Sequence, residues 1–95
     1  MRVRFTRSAR QDMMAIGRYI AFDDPGRSQS FVEELRDKCR SLKDLPLRGA
    51  NRSALIAGVK LLPHKNYNIY YGVTDETVTI FRVLHSTRHV DEGDL

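Results

Sequence analysis

Three histidines, one cysteine, and scattered arginines and tyrosines carry the chemistry this sequence has to offer. His85 and His89 stand four apart, but they fall where the chain is expected to leave a strand. No cysteine or paired carboxylate completes a zinc-like set around them or around His64, so no metal or other cofactor is expected. Cys39 is the only cysteine, which excludes an internal disulfide. It lies on the apolar stripe of a predicted helix, where a thiol is a buried hydrophobe rather than a nucleophile. Imidazole suits acid–base work near neutral pH, so His85 has either that role or a packing and hydrogen-bonding role at a strand end. Arg82 alternates with Phe81 and Val83, which places it on a solvent face or against a partner. Tyr67, Tyr70 and Tyr71 have the aromatic faces that stack on bases. Strand alternation, however, sends Tyr70 to the side opposite the other two, which points to core and cross-strand packing for most of the cluster.

Charge is distributed unevenly. The net charge is +4 over 95 residues, and Arg2, Arg4, Arg7 and Arg10 meet no acid in the first ten. Arg48, Arg52, Lys60 and Lys65 form a second acid-free block, whereas Asp91, Glu92 and Asp94 make the last stretch acidic. Two basic blocks fit an acidic partner, either nucleic acid or an acidic protein tail, or form a merely solvated face. A 41% hydrophobic and 29% charged composition is that of a globular domain, and no apolar run reaches the length that spans a bilayer. The basic start is interrupted at once by polar residues, so no signal peptide and a cytoplasmic location are expected. A chain of this size supports one core, so residues 1–95 are read as a single domain.

The elements that must position these residues follow from periodicity. Val3 and Phe5 alternate with Arg2 and Arg4 as a short strand with one buried face. Ser8 and Gln11 have the spacing of a capping box, and Ala9, Met13, Ile16 and Ile20 recur at helical intervals, giving a helix to about Phe22. Asp24-Pro25 supplies a cap and a first-turn proline for a second helix, whose stripe of Phe31, Leu35, Cys39 and Leu42 runs to about Lys43. So short a connection makes the two helices an antiparallel hairpin. Pro46 and Gly49 end helical structure. Leu55 to Leu62 reads as a strand with a turn or bulge near Gly58, followed by strands at Tyr67 to Thr74 and Thr77 to His85 joined by Asp75-Glu76. The expected fold is α+β: an N-terminal strand, then a helical hairpin packed on one face of an antiparallel sheet completed by a three-stranded C-terminal meander, with the other sheet face left open. Met13, Ile16, Ile20, Phe31, Leu35, Leu42, Ile69, Tyr71, Val73, Val78 and Ile80 are expected to share its core.

These residues resemble a known family over nearly the whole chain. Phe5-Thr6, Ala9, Asp12, Ile16, Tyr19-Ile20, Pro25, Phe31, Leu35, Leu42, Pro46 and Gly49 are similar to the N-terminal pattern of RelE/ParE toxins. Asn66-Tyr67-Asn68-Ile69-Tyr70-Tyr71 and Ile80-Phe81-Arg82-Val83-Leu84-His85 resemble the C-terminal half of the ParE branch, with Arg82 to His85 the most specific segment. Gly26-Arg27-Ser28 departs from the alanines common in relatives, which weakens the first turn of the second helix slightly. The resemblance implies two activities on one fold: the RelE branch cleaves messenger RNA on the ribosome, and the ParE branch inhibits DNA gyrase.

The cleavage reaction needs a base for the 2′-hydroxyl, cations for the phosphorane and an acid for the leaving oxygen. Aligned with RelE-like enzymes, Asn68 falls where they carry an arginine, and Lys60 is one residue out of phase with their lysine, which turns a strand side chain to the opposite face. Arg88 falls where they carry an arginine, but Asp94 stands where their C-terminal tyrosine is expected. The resemblance therefore implies a gyrase-binding toxin without catalytic residues, neutralised by a ParD-like antitoxin, with a RelE-like ribonuclease as the alternative. Arg82, His85, Arg88 and Asp91 are the expected target contacts. Arg2, Arg4, Arg52 and Lys60 are the expected antitoxin contacts. The toxin itself is not expected to read nucleic-acid sequence, since no groove-reading or RNA motif is present.

Overall fold

A computed structural model describes residues 1–95. The order is β1 (Arg2–Phe5), α1 (Arg7–Asp23), α2 (Pro25–Arg40), a 3-10 turn (Ser41–Lys43), β2 (Ala50–Asn51), β3 (Lys60–His64), β4 (Tyr67–Thr74), β5 (Thr77–His85) and a second 3-10 turn (Glu92–Asp94). The strands form one sheet in the order β1-β5-β4-β3-β2. The α+β expectation is met with one correction: β1 pairs parallel to β5, so the sheet is mixed rather than antiparallel. Connectivity explains the direction. The helical hairpin returns the chain to the end of the sheet from which β1 left it. Three reversals through β2, β3 and β4 then bring β5 into the direction of β1.

Local chemistry sets the helix ends. Thr6, not Ser8, caps α1: its Oγ1 accepts the Ala9 N–H at 3.0 Å and donates to the Phe81 carbonyl at 2.8 Å. The long-range bond to β5 decides between two residues that could both cap a helix. Asp24 alone separates the helices and caps α2 by accepting the Arg27 N–H at 3.0 Å, with Pro25 in the first turn as expected. Ser28 on α2 donates to the Gly17 carbonyl of α1 at 2.6 Å and locks the hairpin.

One face of the sheet carries the main core. Ala9, Met13 and Ile16 of α1 and Phe31, Leu35 and Cys39 of α2 pack with Leu42 on Leu62, Tyr67, Ile69, Tyr71, Val78, Ile80 and Val83, with Ile20 and Val73 at the margin. All eleven residues expected in the core are there. Tyr70 lies on the opposite face with Val59, Leu61 and Leu84, as alternation requires.

Three further features differ from expectation. The third strand begins at Lys60, not Leu55, because residues 52–59 fold as turns: the Arg52 N–H donates to the Val59 carbonyl at 2.9 Å and Gly58 takes a φ of 81°. Pairing shifts register between Tyr70 and Tyr71, so Phe81 is an extra residue in β5 and both Phe81 and Arg82 leave the core face. The second sheet face is not open, because Leu55, Val90 and Leu95 fold onto it. The C-terminal segment thus returns to the sheet rather than leaving it free.

Candidate functional site

Beyond Ile80, β5 has no strand on its outer side, since β1 pairs only as far as Phe5. The exposed edge needs a partner for its backbone, and α1 supplies one. Asp12 Oδ2 accepts the Val83 N–H at 3.0 Å, while the same carboxylate holds Arg82 through Nε at 2.7 Å and Nη2 at 2.8 Å. The pair is largely shielded, with side-chain exposures of 12% for Asp12 and 18% for Arg82. Hydrogen bonds to Asp12 push the Arg82 guanidinium further up from its ordinary value. The third arm of Arg82, Nη1, donates to the Asp94 carbonyl at 2.9 Å.

Arg88 completes this corner. Its Nη2 donates to Asp94 Oδ1 at 2.9 Å, and Asp94 Oδ2 accepts the Asp91 N–H at 3.0 Å in a capping box whose other half is the Asp91 carboxylate accepting from Gly93 N–H. The Asp91 amide first, then Arg88 and Arg82, hold the Asp94 carboxyl below the usual carboxylate range. Of the four residues expected at a target contact, Arg82, Arg88 and Asp91 are joined in one network that fastens the C-terminal segment.

His85 belongs to the helix side of the same edge. Its ring lies edge-on to Tyr67 with centroids 5.2 Å apart, and its Nδ1 accepts the Thr87 N–H at 3.2 Å. The same Nδ1 stands 2.8 Å from the Thr87 hydroxyl oxygen. A groove of about 590 Å³ runs between α1 and this end of β5, lined by Ala15, Tyr19, Tyr67, His85, Thr87 and Arg88. Tyr19 in its lining is 73% exposed. In the sequence Tyr19 stands out only as part of the family pattern, with no role in a site.

The expected antitoxin contacts do not form one patch. Arg2 and Arg4 lie on β1 at one edge of the sheet, on the face away from the helices, because Val3 and Phe5 point to the core. Lys60 lies across from Tyr71 on the helix side, near the opposite edge, and Arg52 is exposed in the turn that follows β2. Four inter-strand spacings put β1 and β2 roughly 19 Å apart.

A second ionic cluster went unnoticed in the sequence. Glu34 on α2 accepts from Lys65 Nζ at 3.0 Å, bonds His64 Nε2 at 3.0 Å and receives Arg27 at 3.4 Å. Hydrogen bonds from His64 and then Lys65 lower its carboxyl to about 2. Arg27 and Lys65 also stand over the Phe31 ring, at 5.1 and 5.9 Å from its centroid. Glu34 stands 30 residues from His64 and 31 from Lys65 along the chain, so only the fold assembles the cluster. Cys39 is buried as expected, and burial pushes its thiol up to about 12, which leaves it inert.

At the strand positions aligned with RelE-like cations, the sheet face away from the helices carries none. Asn68 stands across from Leu84 and Pro63, Leu61 belongs to the apolar cluster with Tyr70, and Lys60 points to the helix side.

Among solved structures, the chain is similar to one from a chromosomal ParDE toxin–antitoxin system of P. aeruginosa, with 22% identity, 90% of this chain and 95% of that chain covered and a TM-score of 0.79. It is also similar to a chain of the RelBE2 toxin–antitoxin complex from Mycobacterium tuberculosis, with 29% identity, 87% and 94% coverage and a TM-score of 0.68. No curated protein matches it. The family model described as the ParE toxin of the type II toxin–antitoxin system parDE matches residues 3–90, and the chain belongs to that family of toxins.

Proposed function

We propose that this chain is a cytoplasmic toxin that inhibits DNA gyrase by direct binding and is neutralised by a ParD-like antitoxin. The observation that carries this reading is the chemistry of the sheet face opposite the helices. Val59, Leu61, Tyr70 and Leu84 make it an apolar surface, and the C-terminal segment lies over it. Phosphoryl chemistry needs cations placed where charge develops; at the aligned strand positions this face offers Asn68 and Leu61, and its neighbouring Arg82 is already engaged by Asp12 and the Asp94 carbonyl. A binding inhibitor needs only a complementary surface. The groove between α1 and β5 offers one, lined by the exposed Tyr19 and Arg88, residue types that anchor protein interfaces, together with His85. His85 and Arg88 are the target contacts proposed within it, while Arg82 and Asp91 act there by shaping the corner.

The ribonuclease reading draws on His85 and Arg88 sharing that groove and on the similarity to the RelBE2 complex. Purified protein assayed side by side for gyrase supercoiling and for cleavage of ribosome-bound messenger RNA separates the two. Block of supercoiling, or trapped cleaved DNA, with intact messenger RNA is the expected result. Cleavage of ribosome-bound RNA, lost in a folded His85→Ala or Arg88→Ala variant, would overturn it.

A further inference from the structure

The C-terminal segment is held as a ligand is held. Val90 and Leu95 pack on the apolar cluster of Val59, Leu61, Tyr70 and Leu84. Between them, Asp94 gives its carboxylate to Arg88 and its carbonyl to Arg82. An acid held by arginines between two aliphatic anchors is a mode of peptide recognition: the charge sets register and the apolar residues add burial. Arg82 is oriented for the contact by Asp12, which occupies its Nε and Nη2 and leaves Nη1 for the peptide.

We infer that Arg82, Arg88 and the apolar cluster form a binding site for a short acidic peptide segment of a partner protein, occupied in this chain by its own residues Val90–Leu95. The segment describes the partner's chemistry: an aliphatic residue, then acids, then a carboxylate followed directly by a second aliphatic residue. Release of the segment exposes two assets together. Leu61, Tyr70 and Leu84 lose their cover, and Arg88, already 45% exposed in its side chain, loses its counter-charge. A partner segment of this kind gains the site only by competing with a tethered one. Short tethers give effective concentrations of about millimolar, so the resident segment is a substantial competitor. The site does not depend on which target the toxin has.

The test uses the full chain and a capped peptide with the sequence of residues 90–95. Asp94→Ala combined with Leu95→Ser releases the resident segment. In nitrogen-15 titrations the released variant is expected to bind the peptide at least about tenfold more tightly than the unaltered chain, with shifts at Leu61, Tyr70 and Leu84. Adding Arg88→Ala, or placing asparagine in the peptide at the position of Asp94, should weaken that binding by about tenfold. Equal affinity for both chains, or no binding to a folded released variant, overturns the inference. If the released variant does not fold, the unaltered chain decides: excess peptide should speed exchange of the Gly93 and Leu95 amides, and unchanged exchange overturns it.

Discussion

Asp12 on α1 pairs bidentately with Arg82 on β5 and accepts the neighbouring Val83 amide with the same carboxylate, so one side chain closes a sheet edge and aims an arginine. Replacing Asp12 by Ala leaves a shielded guanidinium and a strand N–H without partners. The expected loss is about 2–3 kcal/mol, in the range for hydrogen bonds to charged groups and below the cost at a fully buried pair. Urea unfolding of Asp12→Ala, Arg82→Ala and the double variant measures the coupling. Simple additivity of the two single losses would show that the pair does not act as a unit.

The Tyr71 hydroxyl is the second polar group on which the fold depends. It donates to the Pro46 carbonyl at 2.8 Å and accepts the Gly49 N–H at 2.8 Å, and Tyr71 itself is fully buried. Tyr71→Phe strands a backbone donor and should cost about 1–3 kcal/mol. Gly49→Ala should be at least as damaging, because the added Cβ would sit 2.7 Å from that hydroxyl oxygen and 2.9 Å from the Leu61 carbonyl. Thermal unfolding of both variants checks the order; a Gly49→Ala protein as stable as the parent would contradict the contact.

Much of this was legible beforehand, and the misses have a common cause. Periodicity located both helices, the strands β4 and β5 and all eleven core residues, because local spacing decides which face is buried. Pro46 and Gly49 marked the end of the helices, but nothing local shows that Gly49 lies against Tyr71. Ser8 has the local spacing of a cap, but Thr6 takes the role because its decisive bond reaches Phe81, 75 residues away. The same holds for Asp12 with Arg82 and for Glu34 with His64 and Lys65. Charge falls in blocks along the chain, whereas the fold sorts it by edge and face. For that reason Asp94, in the acidic stretch at the end of the chain, has its counter-charge within the chain at Arg88, while Arg82 holds its carbonyl.

The Glu34 cluster makes stability depend on acid in a defined window. Its folded carboxyl lies at about 2, below the ordinary carboxylate value of 4.5, through hydrogen bonds from His64 and Lys65 with Arg27 nearby. A group depressed on folding contributes stability above its unfolded value and loses that contribution as pH falls toward the folded one. The parent should therefore lose its advantage over Glu34→Gln between about pH 4.5 and pH 2. Urea midpoints for both proteins across that window test the sign. A gap that widens on acidification would exclude this role for Glu34.

The two basic groups proposed for antitoxin contact make the sharpest demand on a partner, because they lie at opposite edges and on different faces of the sheet. An extended segment covers about 3.3 Å per residue, so roughly six residues are needed to cross from β1 to β2, and more to pass around an edge. One antitoxin tail that meets both groups must wrap the toxin, as a segment that folds on binding is able to do. Arg2→Glu with Arg4→Glu tests one edge, and Arg52→Glu with Lys60→Glu tests the other. If both edges are engaged, each pair should weaken association by about tenfold, the losses should add, and the salt dependence should flatten in step. If only one pair has an effect, the tail stays on that edge and the other group is a solvated face. Titration calorimetry of the four combinations at two salt concentrations reads affinity and charge together. Unchanged affinity and unchanged salt dependence in all of them would remove these four residues from the antitoxin interface.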